Sequence, residues 1–148
     1  MNHTSVSSDD REIVAIELDE CLVLLGLEAL GRVASQAGDG PPDVFPVNFV
    51  LRDGSPVFRT HDGSPLAHLH GRPVTLQVDE FDWFHRTGWS VLVQGRAELV
   101  DATEVTGLDD IDSWAPGTQP TYVRIVPTRI SGRRIVLHQL PVDSWGYL

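Results

Sequence analysis

The chain contains no lysine. All 11 of its basic residues are arginine, set against 21 aspartates and glutamates for a formal charge of −10. Such an acidic surface repels nucleic acid, so any anion bound here must be held by a local arrangement of donors working against the global field. A single cysteine, Cys21, excludes an intramolecular disulfide. The longest apolar run, Cys21 to Leu27, falls far short of the ~20 residues a membrane span requires. The first residues lack the basic, apolar, small-residue order of a signal peptide. A soluble, cytoplasmic protein is expected. The sequence also lacks internal repeats, low-complexity tracts, a nucleophile elbow, a catalytic carboxylate pair and a Cys/His arrangement. Its 148 residues are enough for one domain with a core of its own.

What is present reads mainly as strand. Residues 1–12, rich in Ser and Asp, lack periodicity and are expected to form a disordered arm before a domain of residues 13–148. Leu18, Cys21, Leu22 and Leu25 fall on one face of a helix, with Glu17, Asp19 and Glu20 in its first turn, where the dipole favours anions. Cys21 on that face reads as a small buried residue, since no neighbouring cation or base lowers its pKa. Strands follow at Leu30–Ser35, Pro46–Leu51, Val57–Thr60, Pro73–Asp79 and Trp89–Val100, with turns at Gly38-Asp39-Gly40 and Asp53-Gly54. In the longest, Trp89, Val91, Val93, Ala97 and Leu99 share one side, and Gly95 marks a bulge or a close approach. A short acidic helix is expected over 103–113, then one or two strands over 121–137, broken around Pro127 and Ser131-Gly132. Six or more strands joined by hairpin turns predict an antiparallel β-barrel with a few short helices.

The stretch from Asp43 to Leu66 carries the chemistry. Its second strand delivers Arg59 and Thr60 to a turn at Asp62-Gly63, after which Ser64 and Pro65 read as N-cap and first residue of a short helix. Arginine, hydroxyls and a helix start in sequence suit a phosphate group. The competing reading pairs Arg59 with Asp53 or Asp62 on the surface. His61, His68, His70 and Asp62 are close in sequence, but on a helix His68 and His70 diverge, and no metal site is expected. His85 reads as an exposed loop residue. Asp109, Asp110 and Asp112 read as a solvated face lacking the glycine and bidentate glutamate of a calcium loop.

The order of short motifs adds a resemblance. Glu20-Cys21-Leu22, Leu30-Gly31-Arg32-Val33-Ala34, Pro46-Val47-Asn48-Phe49 and Phe58-Arg59-Thr60 are followed by Gly63-Ser64, Val78-Asp79 and Gly88-Trp89-Ser90-Val91. Trp114-Ala115-Pro116-Gly117 and Ile130-Ser131-Gly132-Arg133 complete the series. In this order they resemble the FMN-binding split barrels grouped with pyridoxamine 5′-phosphate oxidase, specifically the small stand-alone branch. The resemblance implies a split-barrel homodimer with FMN held at the subunit interface and an oxidoreductase acting on a small molecule. It implies that Arg59, Thr60 and Ser64 contact the flavin phosphate, that Pro46, Val47 and Asn48 line the ring through backbone and side chain, and that Trp89 and Ser90 lie at or near the site from one chain or the other.

Two departures bear on that expectation. The family's phosphate lysine is replaced by Pro65, and loss of one charge-assisted hydrogen bond lowers phosphate affinity by roughly ten- to a hundredfold. The segment from Pro141 to Leu148 lacks the basic tail of the true pyridoxamine phosphate oxidases, so that reaction is not expected. Two alternatives stand beside FMN: a deazaflavin-dependent reductase, and a non-catalytic barrel that has lost tight flavin binding and serves as a ligand-binding or interaction module. No histidine matches a heme ligand.

Overall fold

The computed structural model describes residues 10–111 and 120–138. Seven strands and one helix run in the order β1 (Arg11–Ile16), α1 (Leu18–Leu27), β2 (Leu30–Ser35), β3 (Asp43–Arg52), β4 (Ser55–His61), β5 (Pro73–Asp82), β6 (Thr87–Val100) and β7 (Pro120–Leu137). Every pairing is antiparallel, in the order β1-β7-β4-β3-β2-β5-β6, and a second pairing of β7 with β6 closes six strands into a barrel. Closure removes the exposed edges that an open sheet of this size would carry. The long β7 makes this possible: its first half lies between β6 and β4, and its second half between β6 and β1.

Alternation along each strand fills the barrel. Val33, Val47, Phe49, Phe58, Leu76, Val78, Val91, Val93, Val123 and Ile125 form its interior, each at most 4% exposed. α1 adds Cys21 and Leu25 to the same core. Its apolar face is the one expected, although Leu18 at its start is half exposed. A 3-10 turn over Pro65–His68 contributes Leu66 to that core. The Asp53-Gly54 hairpin turns with φ of 50° and 77°, the left-handed geometry of a two-residue I′ turn.

A second apolar cluster lies on the outside of the barrel. Val57, Val100 and Tyr122 pack there beneath Leu108 and Ile111. Arg52 fastens the covering segment, donating to the carbonyls of Thr106 at 3.1 Å and Gly107 at 3.3 Å, with Asp110 at 3.4 Å.

Several sequence expectations change. Arg11 and Glu12 belong to β1 rather than to an arm, because they pair with Leu137 and Val136. The acidic helix over 103–113 is reduced to a 3-10 turn at Leu108–Asp110. Asp101 captures the Thr103 amide and hydroxyl at 3.0 Å, a local bond that competes with helix. β7 is one unbroken strand. The irregularity expected near Pro127 is a bulge within it: Gln94 faces Arg129 and Gly95 faces Pro127, so Thr128 is the extra residue, and its hydroxyl donates to the Gln94 carbonyl at 3.1 Å. Leu99 is exposed at the rim, while Val100 turns to the outer cluster. Residues 1–9, Asp112, the Trp114-Ala115-Pro116-Gly117 motif and residues 141–148 lie outside the described residues.

Candidate functional site

Arg59 stands at the centre of an outward-facing row. It is directly opposite Asn48 on β3 and Tyr122 on β7, and Asn48 is in turn opposite Leu30 on β2. Directly opposed residues share a face, so Leu30, Asn48, Arg59 and Tyr122 cross the outside of the barrel together. Arg59 is half-buried, yet among the described residues it makes no hydrogen bond or ion pair. The acids that competed for it are elsewhere: Asp62 accepts the Thr121 hydroxyl at 2.7 Å, and Asp53 lies in the hairpin turn. A guanidinium left unsatisfied on an acidic chain is a ready anion donor. Asn48 is engaged, its amide donating to the Ala29 carbonyl at 3.4 Å.

The remaining predicted residues divide. Pro46 is exposed and shares the outer face with Arg32, its cross-strand partner. Val47 points into the core at 4% exposure, so only its backbone is available to a ligand. Thr60 alternates with Arg59 and therefore leaves the strand on the opposite side, at the barrel rim opposite Thr121. Ser64 is buried, and its Oγ accepts the Leu66 N–H at 3.2 Å as the N-cap of the turn. The anticipated cradle of helix amides is not formed: Pro65 has no N–H, Leu66 is taken by Ser64, and Ala67 donates to the Ser64 carbonyl. Arg59 and the hydroxyl protons of Thr60 and Ser64 are what this segment offers.

Trp89 and Ser90 are not beside Arg59 in the same chain. β7 lies between β6 and β4, and Trp89 is opposite Arg134 near one end of it while Arg59 is opposite Tyr122 near the other, so the two sites are separated along the length of the strand. Ser90 belongs to an outer-face polar group in which Gln77 donates to Asp79 at 2.6 Å and to Ser90 at 3.5 Å, with Arg32 at 3.8 Å from Asp79. Trp89 lies partly buried in a cleft of about 550 Å³ whose walls include Glu80, Gly88 and Arg134.

Near this cleft is a group that sequence reading missed. Glu28, the residue that caps α1, has its carboxyl pushed up to about 7 by burial, by a hydrogen bond with Glu80 and by the charges of Glu80 and Asp79. The two residues are far apart in sequence and join no motif, so only folding reveals the pair. Cys21 is fully buried, as expected, with its thiol pushed up by burial first and by Glu20 next, against a smaller opposing effect of Arg134. His70 accepts the Leu99 N–H at 3.1 Å, and no metal-binding cluster occurs among the described residues.

Six antiparallel strands closed into a barrel, with one helix and short 3-10 turns, define a small split-barrel protein, and comparison with known proteins gives the family. The family profile described as pyridoxamine 5'-phosphate oxidase matches residues 17–134. The chain belongs to that family. It is 32% identical over 134 residues to an uncharacterised protein of Mycobacterium tuberculosis, covering 85% of this chain and 88% of the relative. The FAD binding protein from Mycobacterium smegmatis superposes with a TM-score of 0.70 at 32% identity, covering 82% of this chain and 98% of that one. A FAD-binding protein from Mesorhizobium loti gives 0.67 at 26% identity, covering 82% and 97%.

Proposed function

We propose that this chain binds a flavin nucleotide, FMN in the first reading, as a homodimer, and serves as an oxidoreductase toward a small molecule. The observation that carries the proposal is the Arg59 guanidinium on the outer barrel face, which has no hydrogen-bond or ion-pair partner among the described residues. The donor that suits a flavin phosphate is the Arg59 cation, which has no carboxylate partner among the described residues; Thr60 leaves its strand on the other side, and the Ser64 hydroxyl is buried in its cap. A bound flavin supplies the electron or hydride transfer itself. The protein's part is to fix the phosphate with Arg59 and to present Pro46 and the Val47 backbone beside the ring. A site shared between two copies is supported by the separation of Arg59 from Trp89 and Ser90 along β7.

FAD is the second reading, favoured because two similar solved structures are FAD-binding proteins. Visible absorbance of the purified protein, recorded before and after addition of FMN or FAD and again after dialysis, tests the proposal. Retained colour with a light-scattering mass of twice 16.3 kDa is the expected result. A colourless dialysed protein would favour the non-catalytic reading, and a monomer at micromolar concentration would overturn the shared site.

A further inference from the structure

A single residue, Ala29, joins the cap of α1 to the barrel wall. α1 ends at Leu27, Glu28 caps it through its own N–H on the Leu25 carbonyl at 3.3 Å, and β2 begins at Leu30. The Ala29 carbonyl accepts twice from β3, from the Phe49 N–H at 3.0 Å and from the Asn48 side-chain amide at 3.4 Å. Asn48 in turn stands directly opposite Arg59. On the other side of the same linker the Glu28 carboxyl is hydrogen-bonded to Glu80 of β5. A planar peptide and one residue of chain cannot absorb a displacement, so a shift of Glu28 away from β5 moves the oxygen that orients Asn48.

We infer that Glu28 is a positioning residue for the flavin site: the protonated Glu28–Glu80 pair holds the Ala29 carbonyl where it orients Asn48 beside Arg59, so that flavin binding and protonation of the pair favour one another. This rests on the flavin reading above. The surroundings leave the pair to a proton. Asp79 of β5 adds a negative charge, answered by Arg32 of β2 at 3.8 Å and by Gln77, which donates to it at 2.6 Å. Arg134 of β7 is engaged by Glu20 of α1 at 2.7 Å, the other acids of α1, Glu17 and Asp19, lie at its far end, and Trp89 of β6, opposite Glu80, is uncharged. His85 is paired with Asp82 at the hairpin turn. Neither Glu28 nor Glu80 has a basic partner among the described residues. With its carboxyl at about 7 against the ordinary 4.5, Glu28 is largely protonated at pH 6 and about one-tenth protonated at pH 8. Affinity that depends on the joined form falls with that fraction, by about tenfold between the two, and linkage makes the bound protein take up a proton in return.

Wild type, Glu28→Gln and Glu80→Gln, titrated with FMN at pH 6 and pH 8 while flavin fluorescence is followed, test the inference, together with hydrogen exchange at the Phe49 amide of the same proteins without flavin. Each substitution removes one of the two charges that repel, so the wild type should lose about tenfold in affinity at pH 8 relative to both variants and match them at pH 6. Titration of the FMN phosphate is common to all three proteins and cancels in that comparison. The wild type alone should take up protons when FMN binds at pH 7.5 in weakly buffered solution, and its Phe49 amide should exchange faster than that of the variants at pH 8. The same pH dependence of affinity in all three proteins, with Phe49 equally protected, would overturn the inference and leave the flavin site standing. Faster Phe49 exchange without loss of affinity would also overturn it, since the joint would move without reaching the site. FMN bound by none of the three at either pH would overturn the flavin reading and the coupling with it.

Discussion

Glu28 at the end of α1 is hydrogen-bonded to Glu80 of β5, so the barrel wall and its capping helix meet through two acids. One proton between two carboxyls satisfies the pair, and two negative charges there repel. The C-terminal end of the helix opposes a negative charge at the same point. The pair therefore makes the joint sensitive to pH near neutrality.

That relationship fixes a pH dependence. Glu28 holds its proton up to about pH 7 in the folded chain against an ordinary value of 4.5, so the folded state binds more protons between those limits. Stability from this group is fully present below about pH 4.5 and is lost as pH rises through about 7. Glu28→Gln keeps a hydrogen-bond donor without the charge and should stabilise the protein at pH 8 by about 1 kcal/mol, discounted for partial exposure, with little change at pH 5. Urea unfolding at the two pH values measures it. Parallel curves for both proteins would remove Glu28 as the cause.

Arg59→Ala should weaken flavin binding about ten- to a hundredfold while the unfolding midpoint moves little, because the side chain has no partner to lose among the described residues. Titration and thermal unfolding of the same samples separate the two effects. A large fall in stability with unchanged affinity would make Arg59 a structural residue.

Pro65→Lys restores a cation at an exposed position next to Ser64. Flavin phosphate affinity should rise about tenfold and fall more steeply with salt, at the cost of a small stability loss as the N1 proline is removed. Dissociation constants at low and physiological ionic strength are the measurement. No gain, from a wild type that already binds tightly, would show that another group has replaced the family lysine.

Gly95→Ala should destabilise by about 2–4 kcal/mol, since a Cβ at Gly95 would overlap the backbone carbonyl of Val126 and touch Pro127. The neighbours are backbone of the strand that closes the barrel, and they cannot rotate away. Denaturant unfolding decides it, and a neutral substitution would mean that β6 shifts freely at the bulge.

The barrel was legible because its signals are local. Val74, Leu76 and Val78 alternate with polar residues, Asp53-Gly54 specifies its own turn, and the Ser64-Pro65 pair forms the cap expected of it. The first strand was missed because Arg11–Ile16 is short and is held by β7, more than a hundred residues away. The last strand read as broken because Pro127 carries a local penalty, which β7 absorbs as a bulge at Thr128 without ending.

The sequence by itself determined the alternation that places Phe49 and Phe58 inside and Arg59 outside, since strand period and hairpin register are properties of neighbouring residues. It also determined which donors the segment from Arg59 to Ser64 contains. Only the tertiary structure decided that Arg59 has no acid partner among the described residues, that the amides of the turn are already taken, that Trp89 and Ser90 stand toward the other end of β7 from Arg59, and that Glu28 meets Glu80. Each of those depends on which strands close the barrel, and closure is set by pairing between β6 and β7 over long sequence separations that no local pattern encodes.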